Sequence, residues 1–221
     1  MPVAVLVSGS GTTLQNLLNE QRHETLPIEI RFVLSSRPDA FALERARRAG
    51  IRTAVLDPRR HAGPADYGRA IIDTLAPCGP RLILMAGFLP LWHIPPDWLG
   101  RVLNIHPSLL PAFGGKGMYG DRVHRAVLRY GCRVTGCTVH MADNIYDHGP
   151  VLVQRVVWVL DGDRVETLRA RVFREECIAY PQAIRLLAEG RVVMDGRRAR
   201  LVPPAHARSQ PAAPACEPPP R

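Results

Sequence analysis

Short apolar runs rich in β-branched residues alternate with stretches of helical spacing along the first half of the chain. "VAVLVS" (3–8), "IEIRFVLSS" (28–36) and "TAVL" (53–56) read as strands, whereas "TLQNLLNEQ" (13–21), "AFALERARRAG" (40–50) and "DYGRAIIDTLAP" (66–77) read as helices. "RLILMAG" (81–87) and "RVLNIHP" (101–107) continue the series as buried strands. Strand-helix alternation of this kind predicts an α/β fold with a Rossmann-like, mostly parallel central sheet and helices on both faces.

Beyond residue 111 the pattern changes. "AFGGKGMYGD" is a Gly-rich loop, "RVHRAVLRYG" (122–131) has helical spacing, and "RVTGCTVHMA" and "VLVQRVVWVL" are strand-like runs separated by the turn-rich "DNIYDHGP". Residues 163–190 form one long helical pattern, with Pro181 as the place for a bend. The Pro- and Ala-rich end has no periodicity, which predicts a disordered tail over 203–221 behind one domain over 1–202.

Two places break the apolar pattern in a chemically suggestive way. After the first strand, "SGSGTTLQ" sets Gly9 and Gly11 in a tight turn and opens a helix at Thr12 and Thr13. Unpaired N–H groups and the positive end of the helix dipole suit an anion there. Neither GxGxxG nor GK[ST] is present, so a single phosphate fits better than a dinucleotide or triphosphate. In "RVLNIHPS", Asn104 and His106 lie two apart on a strand, so they project to the same side just before Pro107 ends the ladder. Asp147, in a turn held by Gly149 and Pro150, is the candidate carboxylate partner.

These stretches hold no Ser, Cys or Lys with an evident activating base. The chemistry open to Asn, His and Asp is attack of an amine on an activated carbonyl. Asn104 and a charged His106 would donate to the developing oxyanion. Asp147 would stabilise the charged ring and help move the proton that the amine loses.

Composition removes competing classes. The chain has 221 residues and a formal charge of +9, which invites a nucleic-acid reading. However, six Arg against Asp195 and Glu217 from residue 191 onward supply +4 of it, and the remainder is spread out. Only Lys116 is a lysine, so the surplus is nearly all Arg and marks no binding face; no nucleic-acid partner is expected. The five cysteines show no CxxC pair, which argues against a disulfide framework or a metal site. No apolar run is long enough for a bilayer and no signal-peptide pattern opens the chain, so a cytoplasmic protein without a membrane partner is expected.

"SGSGTTLQ", "MAGF", "NIHPSLLP", "DHGP" and "EECIAYP" together resemble the phosphoribosylglycinamide formyltransferase family, in the family's order, over about residues 3–194. "NIHPSLLP" alone marks the wider formyltransferase superfamily. The resemblance implies the formyltransferase fold, 10-formyltetrahydrofolate as formyl donor, glycinamide ribonucleotide as acceptor, no metal, and a monomer or homodimer. It also implies that Asn104, His106 and Asp147 are catalytic. Gly11, Thr12 and Thr13 would hold the ribotide phosphate, and Glu176 would contact the ribotide. Leu89, Pro90, Leu91 and Trp92, with Asn104, Asp143, Asn144, Ile145 and Tyr146, would line the folate pocket. Thr13, Pro64 and Pro90 depart from the family's pattern: Thr13 stands where Asn is often found, Pro90 where many members carry a basic residue, and Pro64 where an Arg can contact the folate.

The resemblance also sets rivals. A formyltetrahydrofolate hydrolase would carry an additional N-terminal module, and a tRNA formyltransferase a folded C-terminal domain that the Pro-rich end does not supply. A non-catalytic folate binder would leave the Asn/His/Asp set unexplained. Met118 and Tyr119 in the Gly-rich loop are placed to close over the ligands.

Overall fold

The computed structural model describes residues 1–203. All but the first residue of the predicted tail lies outside the described residues. Seven strands make the central sheet: β1 (Pro2–Val7), β2 (Glu29–Ser35), β3 (Arg52–Val55), β4 (Leu82–Met85), β5 (Val102–His106), β6 (Val134–Met141) and β7 (Val151–Trp158). Their order is β3-β2-β1-β4-β5-β6-β7; the first five are parallel, and β6 and β7 add as antiparallel strands. The helices are α1 (Thr12–Arg22), α2 (Phe41–Arg48), α3 (Pro64–Leu75), α4 (Asp121–Tyr130) and α5 (Val165–Ala188).

Strand alternation divides the core in two. Val3, Val5 and Val7 of β1 face a cluster with Leu14 and Leu17 of α1, Val123 and Val127 of α4, and Leu168, Val172 and Ile184 of α5. Ala4 and Leu6 face the other side, where Tyr67, Ile71 and Leu75 of α3 pack with Phe88 and Trp92. Helices thus cover both faces of a mostly parallel sheet, as the sequence pattern predicts. Each fully buried Leu contributes about 1.5–3 kcal/mol, so Leu14 and Leu17 hold α1, and with it the turn at its start, firmly over β1. Among the described residues, no helix is long and apolar enough to cross a membrane.

α5 runs through Pro181 as one element. Proline offers no N–H to the Cys177 carbonyl one turn earlier, and Asn16 of α1 supplies the missing donor, its Nδ2 lying 3.0 Å from that oxygen. Beside it Tyr180 is fully buried, with its hydroxyl 3.0 Å from the carbonyls of both Met85 and Leu103. One helix therefore ties α1 to β4 and β5. A small hairpin absent from the sequence expectations follows, β8 (Val192–Asp195) and β9 (Arg198–Leu201), turned by Gly196 in the left-handed region. Its strands are largely exposed and lack apolar alternation; Asp195-Gly196 was the legible turn signal.

Candidate active site

The chain winds outward from β1 to β3, then returns to lay β4 on the other side of β1. Ligand sites in such sheets gather at this reversal, beyond the carboxyl ends of the strands. A cavity of about 680 Å³ lies there, lined by Ser10, Thr12 and Thr13 after β1, Gly87 to Leu89 after β4, and Asn104 to Pro107 at the end of β5. Asp147 and Glu176 reach it from other elements, as do Met118 and Tyr119 of the Gly-rich loop.

Asn104, His106 and Asp147 meet in this cavity. His106 Nδ1 lies 3.4 Å from Asp147 Oδ1, with side chains only 5% and 10% exposed. His106 Nε2 is 2.9 Å from the Phe113 carbonyl, so both ring nitrogens face acceptors. The other Asp147 oxygen accepts the Gly115 N–H at 2.9 Å. Burial by itself would push the Asp147 carboxyl up, but the hydrogen bond from His106, its charge and the Gly115 amide together hold it below the usual carboxylate range. Phe113 and Asp147 are two of three described non-glycine residues with positive φ, at 53° and 51°. Such backbone costs about 1 kcal/mol or more per residue, and both strained residues supply the partners of the same imidazole.

Asn104 is held by a residue that the sequence reading missed. Register pairs Asn104 with His140 across β5 and β6, and Asn104 Nδ2 lies 3.0 Å from His140 Nε2. His140 Nδ1 donates to the Met141 carbonyl at 2.9 Å, which leaves Nε2 as the acceptor. Burial pushes this imidazole down, keeping it neutral in that tautomer. One Asn104 N–H is thereby committed and its amide plane is set.

At the other end, Gly11 caps α1 with φ 71°, and a Cβ there would lie 2.6 Å from the Ala42 Cβ. Only glycine closes this turn. Gly11 sits behind the cavity wall, which Ser10, Thr12 and Thr13 form. Arg45 of α2, also missed, clasps the turn from outside: its Nε donates to the Ser10 carbonyl and its Nη1 to Gln15 Oε1, each at 2.9 Å.

Burial pushes the Glu176 carboxyl up to about 7, against the pull of the His106 charge. Between the ordinary 4.5 and 7 the folded protein therefore holds a proton that the unfolded chain has released, so stability falls as pH rises through that window. Allowing for the open cavity beside it, Glu176→Gln should stabilise the protein by about 1–2 kcal/mol at pH 8 and little at pH 4.5. Urea unfolding at both pH values checks this, and equal differences at the two would show that the carboxyl is not held protonated.

A slot of about 60 Å³ opens beside Asn104, between Pro90, Leu91, Trp92 and Ile94 on one side and Asp143, Ile145 and Tyr146 on the other. Leu89 lies outside the slot, 41% exposed, and lines the larger cavity instead. Asn144 does not line the slot either; it joins its two walls, accepting the Ile94 N–H at 2.6 Å and donating to the Ile94 carbonyl at 3.3 Å. Among the described residues no cluster of His, Cys, Asp and Glu is arranged to hold a metal ion.

The formyl transferase family model matches residues 1–184. Phosphoribosylglycinamide formyltransferase of Escherichia coli (strain K12) is 36% identical over 203 residues, covering 91% of this chain and 93% of that protein. The trifunctional purine biosynthetic protein adenosine-3 of Gallus gallus is 41% identical over 192 residues, which are 86% of this chain but 19% of that much longer protein. The crystal structure of glycinamide ribonucleotide transformylase 1 from Symbiobacterium toebii superposes with a TM-score of 0.84 at 42% identity, covering 92% of this chain and 94% of that one. The chain belongs to the formyl transferase family, among its phosphoribosylglycinamide formyltransferases.

Proposed function

We propose that the protein transfers the formyl group of 10-formyltetrahydrofolate to the amine of glycinamide ribonucleotide, giving N-formylglycinamide ribonucleotide and tetrahydrofolate in purine biosynthesis. The observation that carries this reading is the arrangement of an anion-ready helix start and a narrow apolar slot on either side of Asn104, His106 and Asp147. The ribotide phosphate takes the N–H groups at Gly11, Thr12 and Thr13, where the turn and the α1 dipole suit a dianion. Glu176 holds the ribotide from α5. The folate ring enters the slot against Pro90, Leu91, Trp92, Asp143, Ile145 and Tyr146, with Leu89 at its mouth and Asn144 keeping the two walls together.

The amine then attacks the formyl carbon directly. The free N–H of Asn104 and the His106 ring donate to the carbonyl oxygen as it gains charge, replacing in a buried site the solvation that water would give. For His106 this exchanges the Phe113 carbonyl for the substrate oxygen. Asp147 steadies the imidazolium and assists the proton's passage from the amine to the departing folate nitrogen.

The test is an absorbance assay with 10-formyltetrahydrofolate, with and without glycinamide ribonucleotide. Folate deformylation that requires the ribotide and yields stoichiometric formyl-ribotide is the expected result. Equal folate turnover without ribotide would make the protein a hydrolase and overturn the reading.

A further inference from the structure

The β8–β9 hairpin lies beyond the residues matched by the family model, yet it touches the segment that forms one wall of the slot. An open hollow of about 480 Å³ separates much of it from the start of β7, lined by Gly149, Pro150, Val151 and the hairpin's Arg197 to Arg200. Arg197 bridges the gap. Its Nη2 donates to the His148 carbonyl and its Nη1 to His148 Nε2, both at 2.6 Å. His148 Nδ1 in turn donates to Asp143 Oδ2 at 2.7 Å, and Asp143 Oδ1 accepts the Ile145 N–H at 3.0 Å. Arg197 Nη1 also lies 3.2 Å from Nδ1, but its shorter contact is with Nε2; with Nε2 accepting from the guanidinium and Nδ1 donating to Asp143, the ring passes the hairpin's grip to the turn that carries Ile145.

The base of the same segment is fixed separately. A Cβ at Gly149 would lie 1.8 Å from the Met141 carbonyl, so the chain closes tightly there. The tip, residues 143–146, is tied to the opposite wall through Asn144 and Ile94, and the relay adds a second anchor at Asp143, beside the slot-lining Ile145 and Tyr146.

We propose that Arg197 is a positioning residue for the folate donor: through His148 and Asp143 it holds the 143–146 wall in its binding shape. This rests on the reading of that wall as folate-lining. In the full chain, Arg197→Ala and His148→Ala should each raise the KM for 10-formyltetrahydrofolate about fivefold, as expected for one exposed charge-assisted contact. kcat and the KM for the ribotide should stay within about twofold, and the double variant should be no worse than either single one, because both break one relay. Arg198→Ala, exposed on the same hairpin, is the control that should change nothing. Amide exchange over 143–148 without any substrate should quicken about fivefold in Arg197→Ala.

Unchanged exchange would overturn the relay, and faster exchange with an unchanged folate KM would overturn its role toward the donor. Absence of formyl transfer by the wild-type protein is a separate failure, which would sink the functional reading while the exchange measurement still tests the relay.

Discussion

His106→Ala is expected to lower turnover by about 10³-fold while leaving ribotide affinity within about twofold, because the proposed ribotide contacts, Thr12, Thr13 and Glu176, belong to α1 and α5 rather than to β5. The magnitude follows from losing, in the proposed reaction, a charged oxyanion donor and the partner that orients Asp147. The ring is almost fully buried between Asp147 and the Phe113 carbonyl, so its removal also strands a buried carboxylate. His106→Asn, which keeps a donor of smaller size, guards against a trivial loss of fold: it should unfold near the wild-type midpoint and still lose about 10²-fold or more in turnover. Calorimetric titration with the ribotide beside steady-state rates separates the two quantities. Turnover within tenfold of wild type in a variant that binds ribotide would remove His106 from the chemistry.

What the sequence disclosed about this site follows the distance over which each contact acts. The turn at Gly9 to Thr13 and the strand ending at His106 were legible because glycine spacing, helix opening and strand alternation are local. Asp147 was legible as a carboxylate in a rigid turn, although its reach to His106 spans 41 positions along the chain. His140 gave no such signal, since it alternates within β6 like any inward strand residue and acquires its purpose only from the antiparallel register opposite Asn104. Arg45 was hidden for the same reason: its partners Ser10 and Gln15 lie on the preceding helical unit, 35 and 30 residues away. The Phe113 carbonyl is beyond any reading of side-chain types, because a backbone group carries the contact. The resemblance set "LPLW" and "DNIYD" at one pocket, and both segments reach the slot, but Met85, Phe88, Ile94, His140 and Ala142 line it as well without any motif, and neither Leu89's place outside it nor Asn144's pairing with Ile94 is visible in the sequence.

Asp147→Asn is expected to cost about 10³-fold in turnover with stability within about 1 kcal/mol of wild type, and the backbone explains why this substitution isolates the charge. Asp147 sits at φ 51°, a conformation that Asn adopts about as readily as Asp, whereas Ala pays the full left-handed penalty. An Asn can also keep an oxygen toward the Gly115 N–H, preserving the link to the Gly-rich loop. What it loses is the negative charge beside His106, which in the proposed reaction steadies the imidazolium that donates to the oxyanion and assists the amine's proton on its way. Asp147→Ala should lose a similar amount of turnover and in addition about 1–3 kcal/mol of stability, from the strained backbone and the unpaired Gly115 amide. Chemical unfolding and single-turnover rates on both variants resolve the contributions. Equal stability loss in the two would mean that the carboxylate's charge, rather than its backbone geometry, holds the loop; near-wild-type turnover in Asp147→Asn would assign the proton transfer to another group.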